Sequence, residues 1–71
     1  MQTGIVTFFN EIDGFGFIKE DKTNESIFVH WKSLEFDDNR EKTLHKNDKV
    51  KFTKIRTTKG WQTETCFLIN N

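Results

Sequence analysis

The alternation in Gly14-Phe15-Gly16-Phe17-Ile18, followed nine residues later by Ile27-Phe28-Val29-His30, constrains this chain more than any other feature. Successive side chains of an extended strand point to opposite faces, so Phe15 and Phe17 share one face while Gly16 and Ile18 share the other. The same rule puts Phe28 with His30 on one side and Ile27 with Val29 on the opposite side. Laid side by side, two such strands carry flat rings outward over a small aliphatic inner face. An exposed apolar patch of this kind marks a binding site. Rings spaced along strands suit the stacking of unpaired bases.

Enrichment in β-branched and aromatic residues predicts five strands, at residues 4–10, 15–20, 26–30, 49–56 and 63–69. Residues 11–14 form the first turn, with Gly14 free to take a positive φ, and residues 21–25 form the second. Lys59-Gly60 marks the tip of the last hairpin, with Trp61 beside it in the loop. Between Trp31 and Asp48 runs a polar connection without periodicity, apart from a helical turn predicted over residues 31–34. A connection of that length in a small domain is functional or spans a barrel. No window supports a long amphipathic helix. At 71 residues the chain is expected to be one domain, residues 1–71, near the lower size that holds its own core.

Five short strands with a long third connection predict an all-β fold, a five-stranded antiparallel Greek-key barrel of the OB type. The expected core is Val6, Ile18, Ile27, Val29, Val50, Phe52, Cys66 and Leu68. Two places break simple alternation. Val6 and Phe8 fall on one face, so exposing Phe8 requires a bend or bulge in the first strand. Phe52, Lys54 and Ile55 also lose phase, so the fourth strand is expected to bulge or end near Lys54.

Lys and Arg balance Asp and Glu at 11 each, so net charge does not announce a polyanionic partner. Residues 1–39 hold three lysines against eight acids, and residues 40–71 hold eight basic residues against three acids. Folding interleaves such halves, so this split alone is weak evidence. The single cysteine, Cys66, excludes an internal disulfide, and together with the absence of a signal peptide it gives the cytoplasm as the expected location. No stretch approaches the length of a membrane span.

At these residues the chain resembles the bacterial cold shock proteins. Gly14-Phe15-Gly16-Phe17-Ile18 is similar to the family's first ribonucleoprotein motif, Ile27-Phe28-Val29-His30 to its second, and Gly4-Ile5-Val6-Thr7-Phe8-Phe9-Asn10 to its opening strand. The resemblance implies an OB-type barrel that binds single-stranded RNA or DNA on an aromatic platform. Carried over position by position, the platform is Phe8, Phe15, Phe17, Phe28, His30 and Trp31, and Lys59 matches a basic position of the last loop. Ring sizes are exchanged at two places, since the family commonly has Trp at position 8 and Phe at position 31. Thr7 and Asp13 stand where the family usually has Lys beside the nucleic-acid backbone. Trp61 stands where it often has Pro. Phe36 is a poor match for the family's aromatic in the long loop.

Lys59 and Lys19 are the expected phosphate contacts, with Lys51 and Arg56 behind them; surface lysines on strands also serve simply to protect edges. Phe9 is expected beneath the platform edge as a structural ring. Trp61 suits three roles: extending the platform, covering the barrel end, or touching another protein. His30, His45 and Cys66 match no zinc spacing, so no metal or other cofactor is expected. Neither a glycine-rich phosphate loop nor a nucleophile–His arrangement is present, so neither an enzyme nor a small-molecule substrate is expected. A sandwich-type RNA-recognition motif shares the Gly-Phe-Gly-Phe signature but needs two packing helices, for which this chain has no pattern. The expected function is a monomeric single-strand nucleic-acid-binding protein that opposes RNA secondary structure. The competing reading is a barrel turned into a protein-interaction module, with Trp31, Phe36 and Trp61 in a protein-facing patch.

Overall fold

The computed structural model describes residues 1–35 and 43–69; Phe36, one member of the alternative patch, lies outside them. Among the described residues six strands follow in order: β1 (Gln2–Asn10), β2 (Phe15–Glu20), β3 (Ser26–His30), β4 (Leu34–Glu35), β5 (Lys49–Thr57) and β6 (Gly60–Leu68). A 3₁₀ turn at Trp31–Ser33 stands where the sequence predicts a helical turn. β1 pairs antiparallel with both β2 and β5, β2 with β3, and β5 with β6. A parallel contact between Phe28 of β3 and Gln62 of β6 closes the five long strands into the expected all-β barrel. That closure departs from an all-antiparallel ring for a geometric reason: five strands cannot alternate direction all the way around. The two-residue β4 is an addition, running parallel to β6 with Leu34 opposite Cys66.

The predicted irregularity in β1 is a bulge. Val6 faces Ile18 and Phe8 faces Phe17, which leaves Thr7 as the extra residue. Its hydroxyl donates to the Phe17 carbonyl at 3.3 Å. The inserted residue turns Val6 inward and Phe8 outward, as one extra residue in a period of two must. Gly16 lies across from Phe9, and a Cβ there would run into the Phe8 carbonyl and the Phe9 ring. Only glycine lets β1 and β2 approach this closely at the bulge.

The second irregularity lies between Thr53 and Lys54, as expected, but its extra residue belongs to the partner strand. Thr53 faces Thr65 and Lys54 faces Thr63, so Glu64 of β6 is unpaired. β5 therefore keeps its alternation, and Lys54 follows Val50 and Phe52 onto the inner side. What makes a lysine tolerable there is Glu20, only 4% exposed, whose Oε1 accepts from the Lys54 ammonium at 2.6 Å. Glu25 stands 3.8 Å from the same nitrogen.

Seven of the eight expected core residues are buried; Leu68, the last residue of β6, is half-buried against the cluster. Leu34 and Leu44 complete the core. Both sit in the stretch read as a polar connection, where neither strand nor helix periodicity gives them a phase. Burial pushes the Cys66 thiol up to about 12, which keeps it an inert apolar filler. At one end of the barrel Asp21 accepts from the Thr3 hydroxyl at 2.8 Å and from the Lys49 ammonium at 3.1 Å, and these bonds hold its carboxyl below the ordinary range. Among the described residues no helix is long and apolar enough to cross a membrane.

Candidate nucleic-acid interface

Alternation along β2 turns Phe15, Phe17 and Lys19 to the outside, while Gly16, Ile18 and Glu20 are buried. β3 does the same with Phe28 and His30 outside and Ile27 and Val29 inside. The register places Phe15 opposite His30 and Phe17 opposite Phe28. Through the β1 bulge Phe8 joins them opposite Phe17, 47% exposed. The rings touch in sequence. Phe8 meets Phe15 edge-on at 6.0 Å between centroids, Phe15 stacks on Phe28 at 6.1 Å and 18°, and Phe17 meets Phe28 edge-on at 5.9 Å. Four rings from three strands thus form one contiguous apolar strip on the outer wall of the barrel.

His30 and Trp31 extend the strip toward the β1–β2 turn, their rings 5.7 Å apart and tilted by 37°. His30 Nδ1 accepts from the Lys32 amide at 3.3 Å, which leaves Nε2 to carry the proton of the neutral ring and to donate outward. Trp31 is 40% exposed, and its amide donates to the Gly14 carbonyl at 2.8 Å. The indole lies over Gly14, where any Cβ would collide with it, and the Gly14 φ of +74° already disfavours other residues. One glycine therefore both makes the turn and seats the tryptophan. Lys32 Nζ stands 5.9 Å from the indole centroid.

The remaining candidates fall in three different places. Phe9 is half-buried against the core, beneath the strip rather than on it. Lys19 is exposed on the same face of β2 as Phe15 and Phe17. Lys59, in the β5–β6 turn, lines a cleft of about 370 Å³ together with Phe17, Phe28, Trp61 and Gln62. Trp61 is not in a loop, because β6 begins at Gly60 and Trp61 pairs directly with Arg56. The hairpin is tighter than its composition suggests because the Thr57 hydroxyl closes it, donating to the Gly60 carbonyl at 2.8 Å and accepting from the Lys59 amide at 3.2 Å. Lys54 Nζ lies 4.5 Å and the Arg56 guanidinium 5.2 Å from the Trp61 ring, and the ring packs partly on the core.

Asp13, at a position the resemblance gives to a cation, is held within its own turn. Asn10 Oδ1 accepts from the Ile12 and Asp13 amides, and Asn10 Nδ2 donates to the Asp13 carboxylate at 3.1 Å. Residues that sequence reasoning passed over are Gln62 and Ile55, and only the strand register brings them to this side of the barrel. Among the described residues no group of three His, Cys, Asp or Glu side chains is placed to hold a metal ion.

Comparison with known proteins agrees with this geometry. The "Cold-shock" DNA-binding domain matches residues 2–67. The cold shock-like protein CspA of Stigmatella aurantiaca is 41% identical over 64 residues, covering 90% of this chain and 91% of that protein. The cold shock-like protein CspG of Shewanella violacea is 43% identical over 60 residues, 84% of this chain and 83% of its own length. Among solved structures, drosophila Unr CSD456 superimposes with a TM-score of 0.76 at 25% identity over 97% of this chain, which corresponds to 26% of that longer chain. Matched in sequence over nearly its whole length and in three dimensions by the same barrel, the chain belongs to the cold-shock domain family, whose members bind nucleic acids.

Proposed function

We propose that residues 1–71 act as one binding unit that captures single-stranded RNA or DNA by stacking unpaired bases on the outward rings, and that this capture opposes RNA secondary structure. The observation that carries the reading is the contiguous strip of Phe8, Phe15, Phe28 and Phe17 on the outer wall of the barrel. His30 and Trp31 take bases at one end of the strip, and Lys59 and Lys19 meet phosphates beside it. Bases held on the rings cannot pair with each other, so binding pulls a hairpin toward its open form. Every base has a π-face, so the site tolerates sequence, with at most a mild preference for pyrimidines. The protein-interaction reading lacks comparable support, since its patch joins Trp31 and Trp61 from opposite ends of the strip.

The test is titration of a labelled single strand, its duplex, and an RNA hairpin whose melting is followed at rising protein concentration. Preference for the single strand and a lowered hairpin melting temperature are expected. Equal affinity for the duplex would overturn the stacking reading.

The turn at Asp13 allows a second measurement. Single-strand affinity falls with salt at a log–log slope of about −0.7 per phosphate neutralised, and with Thr7 and Asp13 at two usually basic positions the slope should correspond to roughly one to three contacts. Asp13→Lys should tighten binding at low salt and steepen the slope by about one contact, with little effect at high salt, where only stacking remains. An unchanged slope would place residue 13 away from the backbone path.

A further inference from the structure

The ring strip runs between two ends that differ in charge. At one end Trp31 lies over Gly14, and the β1–β2 turn beside it reads Glu11-Ile12-Asp13, all three exposed. Ile12, at 96%, is the most exposed large apolar side chain among the described residues. At the other end Phe17 and Phe28 border Lys59, and the β5–β6 hairpin exposes Ile55, Arg56 and Lys59. From Lys54 to Gln62 this hairpin holds three cations and no acid. Lys54 is committed to Glu20, whereas among the described residues neither Arg56 nor Lys59 stands in an ion pair. In the turn, Glu11 lies 3.4 Å from His45 Nε2, and the Asp13 carboxylate accepts from Asn10. Each end thus presents an exposed isoleucine beside two like charges, and the sign is opposite at the two ends.

Both ends are held in shape before any contact. The Asn10 carbonyl accepts from the Gly14 amide at 2.8 Å, and its side chain accepts from the Ile12 and Asp13 amides. The Thr57 hydroxyl closes the hairpin. Little ordering is therefore left for a contact to cost. A single strand has a direction, and identical sites bind it in one orientation. Two copies on one strand therefore point the same way, with the turn of one toward the hairpin of the next. Opposite charges favour this order, and like charges oppose turn against turn or hairpin against hairpin.

We propose that neighbouring copies of this chain on one single strand dock head to tail, Glu11 and Asp13 of one copy against Arg56 and Lys59 of the next, with Ile12 and Ile55 between them. Two turns that meet cover far less than the roughly 1,200 Å² of a stable complex, so the free protein stays monomeric. On a shared strand the second copy is held at an effective concentration on the order of millimolar, where a weak contact counts. The contact is heterologous, so it repeats along the strand and does not close into a dimer. The acid at position 13, which forgoes a phosphate, then helps to seat the next copy. This inference rests on the single-strand reading above.

The experiment measures affinity for oligo-dT of about seven nucleotides, which seats one copy, and of about fourteen, which seats two. The ratio of second-copy to single-copy affinity separates the contact from each variant's own affinity for the strand. At low salt the wild type should bind its second copy about tenfold more tightly, the scale of two surface ion pairs with a small apolar contact. The gain should fade as salt rises. Glu11→Lys/Asp13→Lys and Arg56→Glu/Lys59→Glu should each abolish it. The variant carrying all four changes should regain it, a recovery that damage to the fold would not produce. Ile12→Ser, at an exposed position, should remove part of the gain. Independent binding of two wild-type copies to the longer strand, or a gain that survives both charge reversals, would overturn the contact and leave the platform standing. Failure to bind the shorter strand would remove the platform, and the contact with it.

Discussion

Lys54→Met is expected to destabilise the fold by about 3–5 kcal/mol, because it strands the Glu20 carboxylate inside the barrel wall without its cation. The pair is short, 2.6 Å, and the two side chains keep only 15% and 5% of their surface exposed. The small exposure of Lys54 puts the value toward the lower end. Net stability of a chain this size is typically about 5–15 kcal/mol, so the variant should lose a large share of it. Urea unfolding of wild type, Lys54→Met and the double variant Glu20→Met/Lys54→Met measures the effect. The double variant should recover most of the loss, since a buried ion pair replaced by apolar groups of similar volume is often close to neutral. A single variant within about 1 kcal/mol of wild type would class the contact with solvent-exposed pairs.

Phe28→Ala should weaken single-strand binding by about 1–3 kcal/mol, and Phe15→Ala and Phe17→Ala by similar amounts, the usual range for one base–aromatic stack. Phe28 is expected to be the most severe of the three. It stacks on Phe15, touches Phe17 edge-on and borders the cleft, so its removal loosens both neighbours. For the same reason the double variant Phe17→Ala/Phe28→Ala should cost less than the sum of its parts. These rings stand over the aliphatic core without belonging to it, so the loss of affinity should exceed the loss of stability. Titration of a labelled pyrimidine oligonucleotide beside urea melts separates the two. Unchanged affinity in all three variants, or collapse of the fold in their place, would remove the stacking role.

The two predictions concern opposite faces of β2, and Lys54 also reaches the cleft beside the rings. Its ammonium binds Glu20 within the wall and lies 4.5 Å from the ring of Trp61 at the cleft. Loss of Lys54 should therefore also free the Trp61 side chain, visible as a shift of its emission in the Trp31→Phe background.

Period-two alternation made most of the platform legible in the sequence. Phe15, Phe17, Phe28 and His30 occupy the outward positions that the pattern assigns, and Ile18, Ile27 and Val29 lie inside. The phase break at Val6/Phe8 was equally legible, because a displaced side chain in a fixed period demands an irregularity. Near Lys54 the alternation of β5 never breaks, since Lys54 points inward to Glu20, and only the place of an irregularity was legible. Which strand would carry the extra residue was not. A period of two records that phase is lost, but the partner that absorbs the slip is chosen by pairing, and Glu64 lies on the far strand.

By itself, then, the sequence determined the five long strands, the inward and outward faces of β2 and β3, and the aromatic character of the outer wall, all consequences of local stereochemistry. Tertiary structure alone decided what depends on contacts between distant segments. The burial of Leu34 and Leu44 requires them to pack against residues distant along the chain, Leu34 opposite Cys66 of β6. The acceptance of Lys54 on the inner side requires Glu20, 34 residues earlier, to face it. The row from Phe28 to Gln62 and Ile55 exists only because the ring closes through a parallel contact of β3 with β6. Side-chain direction is a property of each strand; adjacency is a property of the closed barrel, and no periodicity along the chain encodes it.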